Sequence, residues 1–379
     1  MELTIADVQK KKDSNRTKIS QSFSFHGSSS NRGLTDCSYT LCSINYLKAC
    51  KHWNFNIFSI ERLTDGHPIL GLGLYIFERY KLIEKFKIDT LVLFNTFRIL
   101  ENSYHQDNVF HNAIHAADVV QASLCLLRDL RNRKVISNFD FACSTLAAFG
   151  HDLDHPGVNQ SYLEKTDDFL AEFYQHSSVL ENHHFRSTVS VLQKTKLLNS
   201  LSSEKWQEFV RRLKLLILST DITRQQHYVE HFKTFLNTIE NSGRWNDTVK
   251  QEIVLVQQMV LKCADVSNPC RNWESYVTWA NLITEEFFKQ GDQEKERGLH
   301  VFPTMDRLLT TKQKIQTNFI QFIVLPLIEL WDSFIQSKLS GYMVKKCYRN
   351  LHVWQSRGSS RNSTPVKKTT ATRRTKLEV

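Results

Sequence analysis

Large apolar side chains recur at three- and four-residue intervals along most of this chain, the period of helices that bury one face. WQEFVRRLKLLILSTDI, residues 206–222, and EIVLVQQMVLKCADV, residues 252–266, hold that pattern over several turns. From Ile69 to Leu351 such segments follow one another with short breaks, and NSGRW at 241–245 reads as an interhelix turn. No sustained run of alternating apolar and polar positions is present, and no internal repeat. The pattern predicts an all-α fold, a compact multi-helix domain over residues 40–352. KHWNFNIFSIERLTDG, residues 51–66, opens its ordered part with closely spaced aromatics and an Asp-Gly turn. Residues 1–39 read as a flexible basic leader and 353–379 as a disordered basic tail without large apolar side chains. The longest strongly apolar stretch, Phe319 to Trp331, holds Gln321, Pro326 and Glu329 and is expected to be too short and too polar to cross a membrane.

Composition agrees with helices: 41% of the 379 residues are hydrophobic, 24 of them Phe, with only 12 Gly and 6 Pro to serve turns. The net charge of +10 sits mostly in the two ends, so the body has no strongly basic face and no nucleic-acid partner is expected. The basic tails are instead candidates for contact with a regulatory protein or an anionic surface. The eight Cys form no CxxC pair, and residues 1–20 lack the apolar run of a secretory signal, so a reducing, cytoplasmic location is expected.

The strongest chemistry lies in three short segments. YHQDNVFHNAIHAADV, residues 104–119, places His111 and His115 four apart, on one face if both are helical, with Asp118 three further on. HDLDHPG, residues 151–157, offers His151, Asp152, Asp154 and His155, and KCADVSNP offers Asp265. Imidazoles joined with several carboxylates, and no thiolate cluster, favour a catalytic metal site over a closed structural zinc. Four ionisable groups beside one turn are also costly to bury as mere packing. Spacing alone leaves His111 open as either an acid or a ligand.

These segments, with SVLENHH, STDITRQ and the later helix bearing Gln316 and Phe319, resemble the class I cyclic-nucleotide phosphodiesterases in order and spacing over residues 52–352. WNFNIFSIERLTDG, ADVSNPCRNW and TEEFFKQGD are similar to the seventh mammalian family, which prefers cAMP. The resemblance implies the helical HD-type catalytic fold and hydrolysis of 3′,5′-cyclic AMP to 5′-AMP. It makes His115, His151, Asp152 and Asp265 the metal ligands. It also implies two divalent ions, zinc and magnesium, with manganese possible in the second site. His155, Glu181 and Thr220 would orient the water shell, with His183 and His184 in support and Asp221 structural. In such a site a metal-bridging hydroxide attacks phosphorus and His111 is the general acid for the leaving 3′ oxygen.

For the base, the resemblance implies recognition by Gln316, a clamp of Phe319 and Ile283, and a polar contact from Asn268. The Gln316 amide carries both a donor and an acceptor, so its neighbours decide between one base and both. Asn318 stands where the family commonly has Gly, and Phe302, Thr304 and Met305 depart from its usual pattern near the pocket rim. The alternatives at this stage are a dual cAMP/cGMP enzyme, another HD-type phosphohydrolase, and an inactive helical scaffold.

Overall fold

The structure, a computed structural model, describes residues 45–359, and among them every regular element is a helix. The leader over 1–39 and the end of the tail lie outside the described residues. At the centre runs the helix Ala113–Asn132, which packs against Asn138–Gly150, Ile253–Asp265 and Pro68–Arg79. Its residues from His115 to Leu127 are all buried, so it is enclosed on every side rather than along one stripe. Small residues make that possible: Ala116, Ala117 and Ala122 let neighbouring helices close in. Gly150 does the same for its own helix. A Cβ there would lie 2.2 Å from Thr188 Oγ1, whose hydroxyl donates to the Gly150 carbonyl at 3.0 Å.

Local chemistry starts these helices. Asn112 accepts from the backbone N–H of Ile114 and His115 and so caps the central helix. Ser137 and Asp140 form a reciprocal capping box at the start of Asn138–Gly150.

The segment at Trp53 is held by a buried polar knot. Arg271 donates to Asp118 at 3.0 Å and to Gln121 Oε1 at 2.8 Å, and lies 4.1 Å from the Trp53 ring centroid while also donating to the Trp53 carbonyl. Arg271 and Asp118 are each about 3% exposed, so removing one leaves the other charge buried. Arg271→Ala is expected to lower stability by about 3–5 kcal/mol, read as a drop in the urea midpoint at unchanged slope.

Two features bear on the sequence expectations here. The final helix runs from Lys338 to Ser359, past the expected boundary at 352. Trp354 is 4% exposed, packs on Trp273 and donates its indole N–H to Tyr276, which keeps this end on the body. The stretch around Phe319–Trp331 belongs to a helical run, Lys312–Ile335, long and apolar enough to cross a membrane by length and composition. Half of its apolar window is buried inside the fold, where Leu327, Ile328 and Trp331 join the core. A five-residue π turn, Ile320–Val324, interrupts it just after Phe319.

Candidate active site

Three separate helices deliver the metal-ligand candidates to one point. His115 comes from the first turn of the central helix, His151 from the C-cap of Asn138–Gly150, Asp152 from the next position, and Asp265 from the end of Ile253–Asp265. His115 Nε2 and His151 Nε2 are 3.4 Å apart. Asp152 Oδ2 lies 3.3 Å from His115 Nε2 and 3.1 Å from His151 Nε2, and Asp265 Oδ1 lies 3.3 Å from each. Donors about 2.1 Å from a tetrahedral ion stand about 3.4 Å from one another, so this donor set fits a zinc-like ion. His151 Nδ1 is 2.9 Å from the Ala148 carbonyl, a hydrogen bond that places the proton on Nδ1 and leaves the Nε2 lone pair for a ligand.

The charges call for a cation as well. Burial alone would raise the pKa of Asp152, but His151, His115 and His111 hold it well below the ordinary carboxylate value, and Asp265 is lowered by the same two ligand imidazoles. Burial opposes charge on His151, yet Asp152 and Asp265 lift its pKa well above normal. Two carboxylates enclosed with two imidazoles are drawing in positive charge.

His111 sits outside this box. It lies before the Asn112 cap rather than on the helix of His115, so the expected shared helical face does not exist. The reason is the cap itself, which ends the helix at that point. Glu286 holds His111 instead: one carboxylate oxygen accepts from the backbone N–H of Phe110 and His111, and the other pairs with His111 Nδ1. Burial depresses the His111 pKa, but Glu286, with Asp152 and Asp265, raises it to about 9. His155 stacks on the His111 ring at 4.1 Å. Its Nδ1 accepts from Gly157 N–H, and burial together with the His111 charge keeps it neutral, its pKa well below normal. Gly157, at φ +77°, makes this turn possible, since a Cβ there would lie 2.5 Å from Asn108 Oδ1.

The remaining HD-segment groups are placed by contacts. Asp154 bridges His105 at 2.7 Å and His183 at 3.0 Å. His184 Nδ1 bonds the Leu153 carbonyl, and its Nε2 lies 3.8 Å from Asp152. Asp221 accepts from Ser178 Oγ and from Thr223 N–H and Oγ1, which makes it a turn former. Asp118 belongs to the Arg271 knot and is not with the ligands. Glu181 faces the same carboxylate field: burial, then Asp221, Asp152 and Asp265, push its pKa up to about 8. The Thr220 hydroxyl donates to the Ile217 carbonyl, which leaves its lone pairs free.

Gln316 is 2% exposed and its orientation is determined by a chain of donors. Trp354 Nε1–H, which can only donate, gives its proton to the Tyr276 oxygen at 3.0 Å. Tyr276 in turn donates to Gln316 Oε1 at 2.8 Å. The amide NH2 of Gln316 is therefore the free end. Tyr276, Ile283 and Glu286 lie on one face of the helix Trp273–Glu296, seven and three residues apart, so one element carries the Gln316 partner, a clamp candidate and the His111 partner. Ile283 and Phe319 are partly buried against the core, and Asn268 donates to Asp118 at 3.0 Å. Asn318 is exposed. Phe302 and Thr304 are exposed too, while Met305 is buried with its carbonyl against Gly291.

Glu286, Tyr276 and Trp354 had no role in the sequence reading. TEEFFKQGD contains Glu286, but nothing in its spacing points to a histidine 175 positions earlier.

Residues 110–347 match the sequence model of the PDEase_I family, 3'5'-cyclic nucleotide phosphodiesterase. The chain is 34% identical over 298 residues to the high affinity cAMP-specific and IBMX-insensitive 3',5'-cyclic phosphodiesterase 8 of Drosophila melanogaster, covering 77% of this chain and 33% of that protein. It is 32% identical over 305 residues to the Homo sapiens phosphodiesterase 8A of the same description, covering 75% and 36%. The chain thus spans about a third of the length of these curated relatives, which are of type eight where the motifs resembled type seven. The solved structure of LmjPDEB1 in complex with IBMX superposes with a TM-score of 0.74 at 25% identity, covering 84% of this chain and 98% of that one. With the ligand box, the helical architecture and the matched length in agreement, the chain belongs to the 3'5'-cyclic nucleotide phosphodiesterase family.

Proposed function

We propose that this chain hydrolyses 3′,5′-cyclic AMP to 5′-AMP and so ends a cyclic-nucleotide signal. The observation that carries the reading is the buried box of His115, His151, Asp152 and Asp265 beside the His111–Glu286 pair. His115, His151, Asp152 and Asp265 would hold a zinc ion, and Asp152 would share a second ion, magnesium or manganese. Such ions, when bound, neutralise the phosphate and activate water.

The side chains do the rest. Glu286 takes up His111 Nδ1–H, so Nε2 is the nitrogen that delivers a proton to the departing 3′ oxygen. That oxygen leaves as a poor alkoxide unless it is protonated. His155, neutral and stacked on His111, keeps the ring face dry and fixed in place. Glu181 and Thr220 present oxygens for the water shell.

The preference for adenine draws on two supports: the cAMP specificity of the two relatives, and the fixed Gln316 amide. An amide held in one orientation presents one donor–acceptor pattern, and adenine and guanine differ in theirs. Tyr276→Phe removes the lock, and the ratio of cAMP to cGMP efficiency is expected to fall about tenfold, the worth of one hydrogen bond.

The test is steady-state hydrolysis of both nucleotides with magnesium and with a metal-stripped control. Metal-dependent turnover favouring cAMP supports the reading. Equal turnover of both nucleotides rejects the base preference. A folded, metal-loaded chain inert to both rejects the activity.

A further inference from the structure

One buried charge beside the site has no part in the mechanism above. Lys262 is 2% exposed and lies three positions before Asp265 on the same helix, so the two share a face. Its ammonium donates to the Ser219 carbonyl at 2.8 Å and stands 5.2 Å from the Tyr228 ring centroid. Neither partner carries a negative charge. A buried ammonium without a paired carboxylate is costly, and the surrounding field must offset it. Burial does depress the Lys262 pKa, and the groups that oppose this are led by Asp265, with Asp221 and Glu181 contributing. Those are the carboxylates at and around the metal-ligand box.

We propose that Lys262 sets the divalent-cation affinity of the centre, as a fixed positive charge that shares the carboxylate field with the ions and keeps one of them loosely held. The inference rests on the reading of the box as a metal centre. Lys262 and an incoming cation draw on the same negative charge, so each weakens the hold on the other. At an effective dielectric of about 20, a unit charge and a divalent ion that share one buried carboxylate field repel strongly enough to shift affinity by at least about tenfold. The carbonyl that Lys262 grips immediately precedes Thr220 and Asp221, so its position and its charge act on the same side of the site.

The experiment is a manganese titration of the full, metal-stripped chain, with free Mn²⁺ followed by electron paramagnetic resonance and folding checked by circular dichroism. Lys262→Met removes the charge. Lys262→Gln also removes it but keeps a donor for the Ser219 carbonyl, and serves if the Met variant does not fold. Lys262→Arg keeps both charge and donor. The neutral variants are expected to bind Mn²⁺ at least about tenfold more tightly than the wild type, and the Arg variant to match the wild type. A folded neutral variant with wild-type affinity overturns the proposal, and so does an Arg variant that shifts as far as the neutral ones. A wild-type chain that binds no Mn²⁺ overturns the metal-centre reading itself, which is a different result from an unchanged variant.

Discussion

Asp152→Asn is expected to leave a folded chain that retains little divalent metal and hydrolyses cyclic nucleotide at least about 10³-fold more slowly, the loss of several kcal/mol of charge stabilisation. Asp152 Oδ2 is 3.1 Å from His151 Nε2 and 3.3 Å from His115 Nε2, closer to His151 than Asp265 is and as close to His115. An amide of the same shape keeps the packing but gives up the negative charge that a cation needs. Because His151, His115 and His111 hold the Asp152 pKa well below normal, its charge stabilises the metal-free fold, and the metal-free variant is expected to melt below the metal-free wild type. Elemental analysis and a thermal melt on one preparation check both halves. Wild-type metal content together with wild-type turnover would remove Asp152 from the centre.

His111→Asn gives the second large effect. The expected fall in kcat is about 10²–10⁴-fold, the usual worth of a general acid, with metal content unchanged because His111 lies outside the ligand box. The loss is expected to be small on a 4-nitrophenyl phosphodiester, whose leaving phenolate needs no proton. An equal loss on both substrates assigns His111 to binding or folding instead. Glu286→Gln separates the parts further. A general acid works only while protonated, so kcat falls as pH rises through its pKa. The Glu286 carboxylate, foremost among the groups that oppose burial, holds His111 up to about 9. Removing that charge lowers the pKa, and the alkaline limb of the kcat profile moves to lower pH. Bound cations cancel the contributions of Asp152 and Asp265, so in the loaded enzyme Glu286 is the main support left and its removal is felt most clearly there.

Much of this site could be read from local spacing. HNxxH, HDLDHPG and the Asp of KCADVSNP are short strings, and their side-chain chemistry needs no fold to be recognised as metal-seeking. The helix period likewise announced an all-α chain, because 3.6-residue periodicity is a property of consecutive residues. What misled was also local. Two histidines four positions apart implied a shared helical face, but Asn112 is a better cap than an interior residue, and His111 falls outside the helix. The last helix runs past the expected boundary at 352 for a different reason. Polar and basic residues dominate the end of the chain, while the single Trp354 that anchors the last helix finds its partners 78 and 81 positions earlier, at Tyr276 and Trp273.

The sequence by itself determined the helical architecture and the family, since both are written in residue identity and short-range period. Only the tertiary structure decided which groups act together. His111 gains its charge from Glu286, Gln316 its orientation from Tyr276 and Trp354, and Lys262 its place in the carboxylate field from the packing of three helices. Those pairings depend on burial and on contacts between distant stretches of chain. Burial strengthens a hydrogen bond and extends the reach of a charge, and neither gain exists until the helices have enclosed the site.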